Sequence, residues 1–553
     1  MAAYKIFAAL LAVSSTFALT IRNSPNNTAP SAVTRNGTLV GRYEPAYDTD
    51  YFLGIPYAQP PVGDLRFRTP RSLNESWSGT RNATEYSPQC IGYGMDTWSQ
   101  GNYVSEDCLT LNVVRTGGAC EGDKLPVLVW FHGGGLVMGG SSDQRYNQSF
   151  IVQQATEAGM PILAVSVNYR LSSWGFLYGK EIQEEGNAMN GFRDARLSLQ
   201  WIQENIHAFG GDPDRVTIQG ESAGGEFLVV CVGTWSRNTD ITAGTIVASQ
   251  LLAYKGRDDK LFAHAIAESG NPAGLRALPT VEDWEPVIAR ISNAVGCANA
   301  TSAVDCLRTV PVEQLNTVLN STIAQGGGNG FVLDGDFMVD APATQLDAGD
   351  FVHVPYLIGA NSDEGTGFGP RQINTTEQFL AYVVQSNGVD NGTAQDLAIL
   401  YPDIPNIGIP ATLPGRPDAS LGLQFKRSSA LATDTSMMAP RRFATEMFAK
   451  HGVPVYSYRF NVVVNGGSYQ YGVPHFQEVA FVFVSRVLSS RSRSQTTADL
   501  LAVQHRRVRL PPERQPESPR RSQPRNIHQG SQADDQNVDQ LRQLRRSQHE
   551  PRR

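Results

Sequence analysis

Four largely apolar runs punctuate the chain, and each stops at a turn rich in glycine or polar residues: LPVLVWF before HGGG, PILAVSV before NYR, RVTIQ before GESAGG, and VPYLIG before ANSDEG. Runs that are continuous rather than alternating belong to strands covered on both faces. That is the condition of a parallel sheet, whose crossover connections lay helices over both sides. The stretches between the runs carry the complementary signal: Ala195, Leu199, Ile202 and Ile206 recur at helical spacing and share one face. Strands alternating with helices predict an α/β architecture, with a mostly parallel central sheet flanked by helices. No internal repeat and no linker interrupts the chain before Val484, so residues 19–483 are expected to form one large domain.

The two ends differ from this body. The opening MAAYKIFAALLAVSSTFALT has one Lys, an apolar stretch and then small residues, with Thr16 and Ala18 at the positions a signal peptidase requires. Residues 1–18 are therefore expected to be a cleaved secretory signal. A membrane anchor needs about 20 unbroken apolar residues, and Ser14, Ser15 and Thr16 interrupt this run. Export agrees with acceptor sequences for N-glycosylation at Asn26, Asn36, Asn74, Asn82, Asn147, Asn299, Asn320, Asn374 and Asn391. It also agrees with six cysteines, which are disulfide-competent outside the cytosol. At the other end, residues 484–553 contain 15 Arg, 7 acids and no Lys, Phe, Tyr, Trp, Met or Cys. Such a composition buries too little apolar area to offset chain entropy. The segment is expected to lie outside the fold, either as a disordered extension or as the product of a frame or splicing error. Val484-Ser485 can be encoded by GTAAGT, a splice-donor-like string, which points to a retained intron. A basic arm for nucleic acid is set aside for a secreted chain, and no nucleic-acid partner is expected.

The strongest chemical signal is Gly220-Glu221-Ser222-Ala223-Gly224 directly after RVTIQ. A strand-to-helix turn of this kind lifts a serine above the sheet edge, and small neighbours permit the tight backbone approach. Serine alone is a poor nucleophile at neutral pH and needs a base oriented by an acid. It also needs donors for the developing oxyanion. His132-Gly133-Gly134-Gly135, at the end of LPVLVWF, supplies glycine backbone N–H groups of that type. No Cys/His spacing marks a metal site, and no metal or cofactor is expected.

Around these motifs run longer ones: GTLVGRYEPAYDTDYFLGIPYAQPPVGDLRFRTP, SEDCLTLNV, FHGGGLVMGGSS, NYRLSSWGFL and FGGDPDRVTIQGESAGG. Together they resemble the type-B carboxylesterase/lipase family, which includes the cholinesterases, in the α/β-hydrolase fold; the likeness to secreted fungal members runs from about residue 38 to about residue 483. The resemblance implies Ser222 as nucleophile, Gly134, Gly135 and Ala223 as oxyanion donors, and Glu221 as support for the site. It places the acid in ANSDEG, at Glu364 rather than the adjacent Asp363. The fold runs Ser, acid, His, so the base lies among His451, His475, His505, His528 and His549. His475, in GVPHFQE, fits the family's motif; His451 stands at a helix-to-strand junction, and the last three lie in the biased tail. The resemblance also implies disulfides Cys90–Cys108 and Cys297–Cys306, leaving Cys120 and Cys231. The first loop is short, which favours soluble esters over an oil interface. Trp98 matches the cholinesterases' choline-binding tryptophan in placement, although a packing role is the simpler expectation. Leu136 stands where the family commonly has an aromatic. The expected activity is carboxylic ester hydrolysis on a small-molecule or lipid ester. The alternatives are a triacylglycerol lipase and a defective or non-catalytic relative.

Overall fold

The computed structural model describes residues 29–94, 103–222, 245–273, 278–326 and 330–483. The signal segment, Asn26, Trp98, Ala223, Cys231 and residues 484–553 lie outside these. Nine strands form the central sheet: β1 (Arg42–Glu44), β2 (Thr49–Pro56), β3 (Thr110–Thr116), β4 (Leu125–Phe131), β5 (Leu163–Val167), β6 (Gly211–Glu221), β7 (His264–Glu268), β8 (Tyr356–Asn361) and β9 (Val455–Phe460). Their spatial order is β9-β8-β7-β6-β4-β5-β3-β2-β1. The run from β5 through β4 and β6 to β9 is parallel, while β1, β2 and β3 join by antiparallel pairing. This is a mostly parallel sheet flanked by helices, the α/β-hydrolase architecture.

The expected strands fall where the apolar runs placed them. LPVLVWF is β4 throughout, and every residue of β5 is buried. The helix Asn190–Asn205 lays Ala195, Leu199 and Ile202 into the same core as Val129, Val165 and Ile218, and Ile206 continues that face from the helix C-cap. Each such aliphatic side chain contributes about 2 kcal/mol by leaving water. The parallel order has a functional consequence. It brings the C-terminal ends of β4, β6, β7 and β8 to one edge, where the turns after them carry the glycine loop, Ser222, Ser269 and Glu364.

The two implied disulfides are formed, Cys90–Cys108 and Cys297–Cys306. Cys120 is an exposed free thiol beside Asp123. No helix among the described residues is long and apolar enough to cross a membrane.

Candidate active site

At the end of β6 the chain turns so sharply that Ser222 takes φ = +52°, a left-handed conformation that non-glycine residues rarely adopt. The turn is crowded from both sides. A Cβ added to Gly220 would lie 3.3 Å from the Phe131 carbonyl oxygen and from Val247. The Ser222 N–H donates to the Glu268 carbonyl on β7 at 2.8 Å, which anchors the elbow to the sheet.

His475 arrives from the far end of the sequence. Its Nε2 stands 2.6 Å from Ser222 Oγ, and its Nδ1 stands 2.5 Å from Glu364 Oε2. With the carboxylate accepting from Nδ1–H, Nε2 is left as the acceptor for the serine hydroxyl. All three side chains are buried, Glu364 completely and His475 at 8% exposure. Glu364 is itself held: its Oε1 accepts from the Asn361 N–H and from Ser269 Oγ, each at 2.6 Å. The neighbouring acid does something else. Asp363 Oδ2 accepts from the Val473 N–H at 2.8 Å and pins the loop that delivers His475. Thus Glu364, not Asp363, faces the imidazole.

Two further contacts fix His475. Phe368 stands edge-on to its ring at 5.5 Å. The short helix Val479–Val482 follows it and buries Val479 and Phe483 against Trp130 and Tyr146. His451, by contrast, caps the helix Ala439–Lys450 and lies against the Asp347 carbonyl, away from the site. Glu221, the residue before Ser222, is buried, with Oε1 3.7 Å from His475 Nε2.

The glycine loop after β4 faces the elbow. Gly134 has φ = +118° and Gly135 has φ = +60°. Neither N–H is spent on a backbone hydrogen bond among the described residues, which leaves both free to receive an anion. Leu136 continues the left-handed run at φ = +60°, is buried, and accepts from the Ser172 N–H at 2.6 Å. Its side chain lies near Gly330, where an added Cβ would be 3.6 Å away. His132 organises the loop from beneath. Its ring stacks on Tyr169 at 4.4 Å, and its Nδ1 lies 2.6 Å from the Gly133 carbonyl oxygen. Burial, opposed by that carbonyl, pushes its imidazole down to about 4, so it stays neutral.

Gly134→Ala is expected to damage this loop severely. The new Cβ would meet the Met138 carbonyl oxygen at 1.8 Å, in a backbone conformation alanine rarely adopts. In the oxyanion-donor role expected of Gly134, its displacement should cost about 10²–10³ in kcat. A kcat within threefold of wild type would contradict that role.

The sequence reading passed over Glu268, Ser269 and Glu478. Locally each is an ordinary polar residue: Glu268-Ser269 ends an apolar strand, and Glu478 follows His475 by three positions.

A serine in a left-handed turn at the end of an interior strand, a buried imidazole and carboxylate aligned behind it, and a glycine loop after the neighbouring strand fit an α/β-hydrolase. The comparisons agree and go further. The carboxylesterase family model matches residues 28–506, extending past Phe483. The chain is 34% identical over 461 residues to Lipase 1 of Geotrichum candidum, covering 75% of this chain and 77% of that protein. It is 33% identical over 456 residues to Lipase 4 of Diutina rugosa, covering 76% and 78%. It is 30% identical over 497 residues to a secreted triacylglycerol lipase of Gibberella zeae, covering 84% and 79%. Among solved structures, Aspergillus niger EstA superimposes with a TM-score of 0.68 at 28% identity, covering 84% of each chain. The chain belongs to the carboxylesterase family and is a carboxylic ester hydrolase.

Proposed function

We propose that this protein is a secreted serine hydrolase that cleaves carboxylic esters through an acyl-enzyme intermediate, with Ser222 as nucleophile, His475 as base and Glu364 as the orienting acid. The observation that carries the proposal is the unbroken contact chain from Ser222 Oγ to His475 Nε2 at 2.6 Å and from His475 Nδ1 to Glu364 at 2.5 Å. His475 takes the serine proton as Oγ attacks the ester carbonyl, and Glu364 stabilises the imidazolium that forms. Gly134 and Gly135, with Ala223 as the third donor, receive the oxyanion. His475 then protonates the departing alcohol, and water releases the acid by the same route in reverse. Glu221, close to His475, supports the charged form. No step calls for a cofactor.

The test is pre-steady-state turnover of p-nitrophenyl butyrate. A burst of p-nitrophenol stoichiometric with protein, and a butyryl mass increment on the peptide carrying Ser222, are expected. A linear time course with an increment on another residue would overturn the assignment.

Secretion rests on the signal-like residues 1–18 and on relatives named as secreted lipases. Residues 484–553 are proposed to stem from a frame or splicing error, although the family match reaches residue 506 and so overlaps the start of this segment. Spliced transcript encoding the same segment would refute that origin.

The relatives' names favour a second reading, triacylglycerol lipase. The Cys90–Cys108 bridge closes a loop of sequence separation 18, a short cover for an oil interface, so soluble esters are the preferred substrates. Faster hydrolysis of emulsified triolein than of dissolved tributyrin would reverse that preference.

A further inference from the structure

Behind the triad, the strand ends carry more acid than ester hydrolysis uses. β6 and β7 are in register at Glu221 and Glu268, β7 and β8 at Glu268 and Gly359, and β8 and β9 at Gly359 and Tyr458. Register partners in a parallel sheet project to the same face, so these positions form one row across four strands. Gly359 leaves its place in the row to the neighbouring ring: a Cβ there would lie 2.0 Å from the Tyr458 ring, which covers the glycine.

Glu268 is the centre of this row. Its carbonyl holds the Ser222 N–H at 2.8 Å, so it touches the nucleophile's backbone directly. Its side chain is buried. Oε1 accepts from Gln219 Nε2, and Oε2 is buried with no hydrogen-bond partner among the described residues. The next residue, Ser269, places its Oγ 2.6 Å from Glu364 Oε1 and 2.9 Å from Glu478 Oε1. A hydroxyl has one hydrogen, so both contacts are hydrogen bonds only if one carboxyl carries a proton. Glu364 Oε1 already accepts from the Asn361 N–H, and its Oε2 faces His475. The proton therefore belongs to Glu478, whose other oxygen accepts from Asn361 Nδ2.

We infer that Glu268 is a positioning residue held as a neutral acid: protonated, it keeps the nucleophile strand and the Ser269–Glu364 pair aligned, and its loss of a proton to solvent switches ester hydrolysis off on the alkaline side. This rests on the triad proposed above. The titratable groups that face it are Glu221 from β6, its register partner, Tyr458 from β9 and Glu478 from the last segment. Arg441 of the helix Ala439–Lys450 is turned to Ser457, and Arg459 to Ser362. No cation pairs with Glu268 among the described residues, so a charge there would join Glu364 and Glu221 uncompensated. Burial first, then Glu478, pushes the Glu268 carboxyl up to about 8; burial first, then Glu364, pushes Glu478 up to about 7.

The same shifts set a stability trend. Each carboxyl binds its proton more tightly folded than unfolded. Their contribution therefore declines as pH rises from the ordinary carboxyl range, near 4.5, to about 8.

The test compares wild type, Glu268→Gln and Glu268→Ala. It measures kcat/KM for a soluble ester from about pH 6 to about pH 10, the span that brackets these groups. Wild type is expected to lose activity with an apparent pKa near that of Glu268. In Glu268→Gln, which keeps a neutral hydrogen-bonding side chain, the alkaline limb should move up by about one unit, a tenfold gain at the top of the range. Glu268→Ala lowers kcat/KM at every pH. Profiles of wild type and Glu268→Gln that superimpose after normalisation overturn the inference, since a merely structural residue would scale activity without moving the limb. Infrared difference titration of wild type against Glu268→Gln separates the Glu268 band from that of Glu478. A protonated-carboxyl C=O band should vanish in step with activity; a protein with every carboxylate ionised at neutral pH overturns the inference. Ser222→Ala retains all these acids and should show the same band. A wrong triad would show as activity in that variant, whatever the band does.

Discussion

Ser222→Ala is expected to remove ester turnover almost completely, lowering kcat by about 10⁶, while the protein remains folded. The physical case is local. The substitution deletes only Oγ, the atom 2.6 Å from His475 Nε2, and retains the Cβ that the elbow already accommodates at φ = +52°. Alanine pays the same left-handed backbone cost as serine there, and the Ser222 N–H bond to the Glu268 carbonyl belongs to the main chain. The thermal midpoint should therefore hardly move. The residual rate, from oxyanion donors and substrate binding, should exceed that of water by about 10³. Turnover of a short-chain p-nitrophenyl ester, measured beside the melting curve, checks both halves. Equal rates from variant and wild type would refute the mechanism.

Glu364→Gln should cost about 10⁴ in kcat, with KM little changed. The carboxylate accepts on both oxygens: Oε2 from His475, and Oε1 from the Asn361 N–H and Ser269. An amide offers one carbonyl oxygen for these two sides. If that oxygen stays with Asn361 and Ser269, the amide nitrogen faces Nδ1. The imidazole must then carry its proton on Nε2, where it cannot accept from Ser222. The loss corresponds to about 5.5 kcal/mol of transition-state stabilisation. Asp363→Asn, one residue away, is the discriminating control. Asp363 contacts the Val473 N–H rather than the imidazole, so its replacement should cost far less in kcat than Glu364→Gln. The reverse order would exchange the roles of the two acids.

Much of the fold was legible beforehand, because burial on both faces leaves a local mark. LPVLVWF and PILAVSV have few polar side chains to present to water, and both became interior strands of the sheet. The glycine motifs were legible for a similar reason, since positive φ and close backbone approach restrict which residues can stand there. Gly134 is the clearest example, with the Met138 carbonyl where its side chain would be. Ser269 and Glu478 were not legible. Each is an ordinary polar residue in its own neighbourhood, and Glu268 alone would pass as the end of a strand. Their meaning comes from Ser269 Oγ lying between two carboxyls 95 and 209 residues away in sequence.

The division between chain and fold is sharpest at His475. The sequence by itself determined that a parallel sheet would form, that Ser222 would stand on its elbow, and that a glycine loop would follow an interior strand. Each of these follows from local periodicity and backbone permissiveness. The family resemblance named Glu364 over Asp363, but the physical reason lies only in the tertiary structure: the two are adjacent, and the sense of the turn after β8 sends them to different partners. The tertiary structure also decided how His475 is held: Phe483, the last described residue, packs its ring 4.7 Å from Trp130 on β4. Local sequence constrains a residue's own backbone; a hydrogen bond or packing contact between distant segments exists only once the sheet has brought its strand ends together.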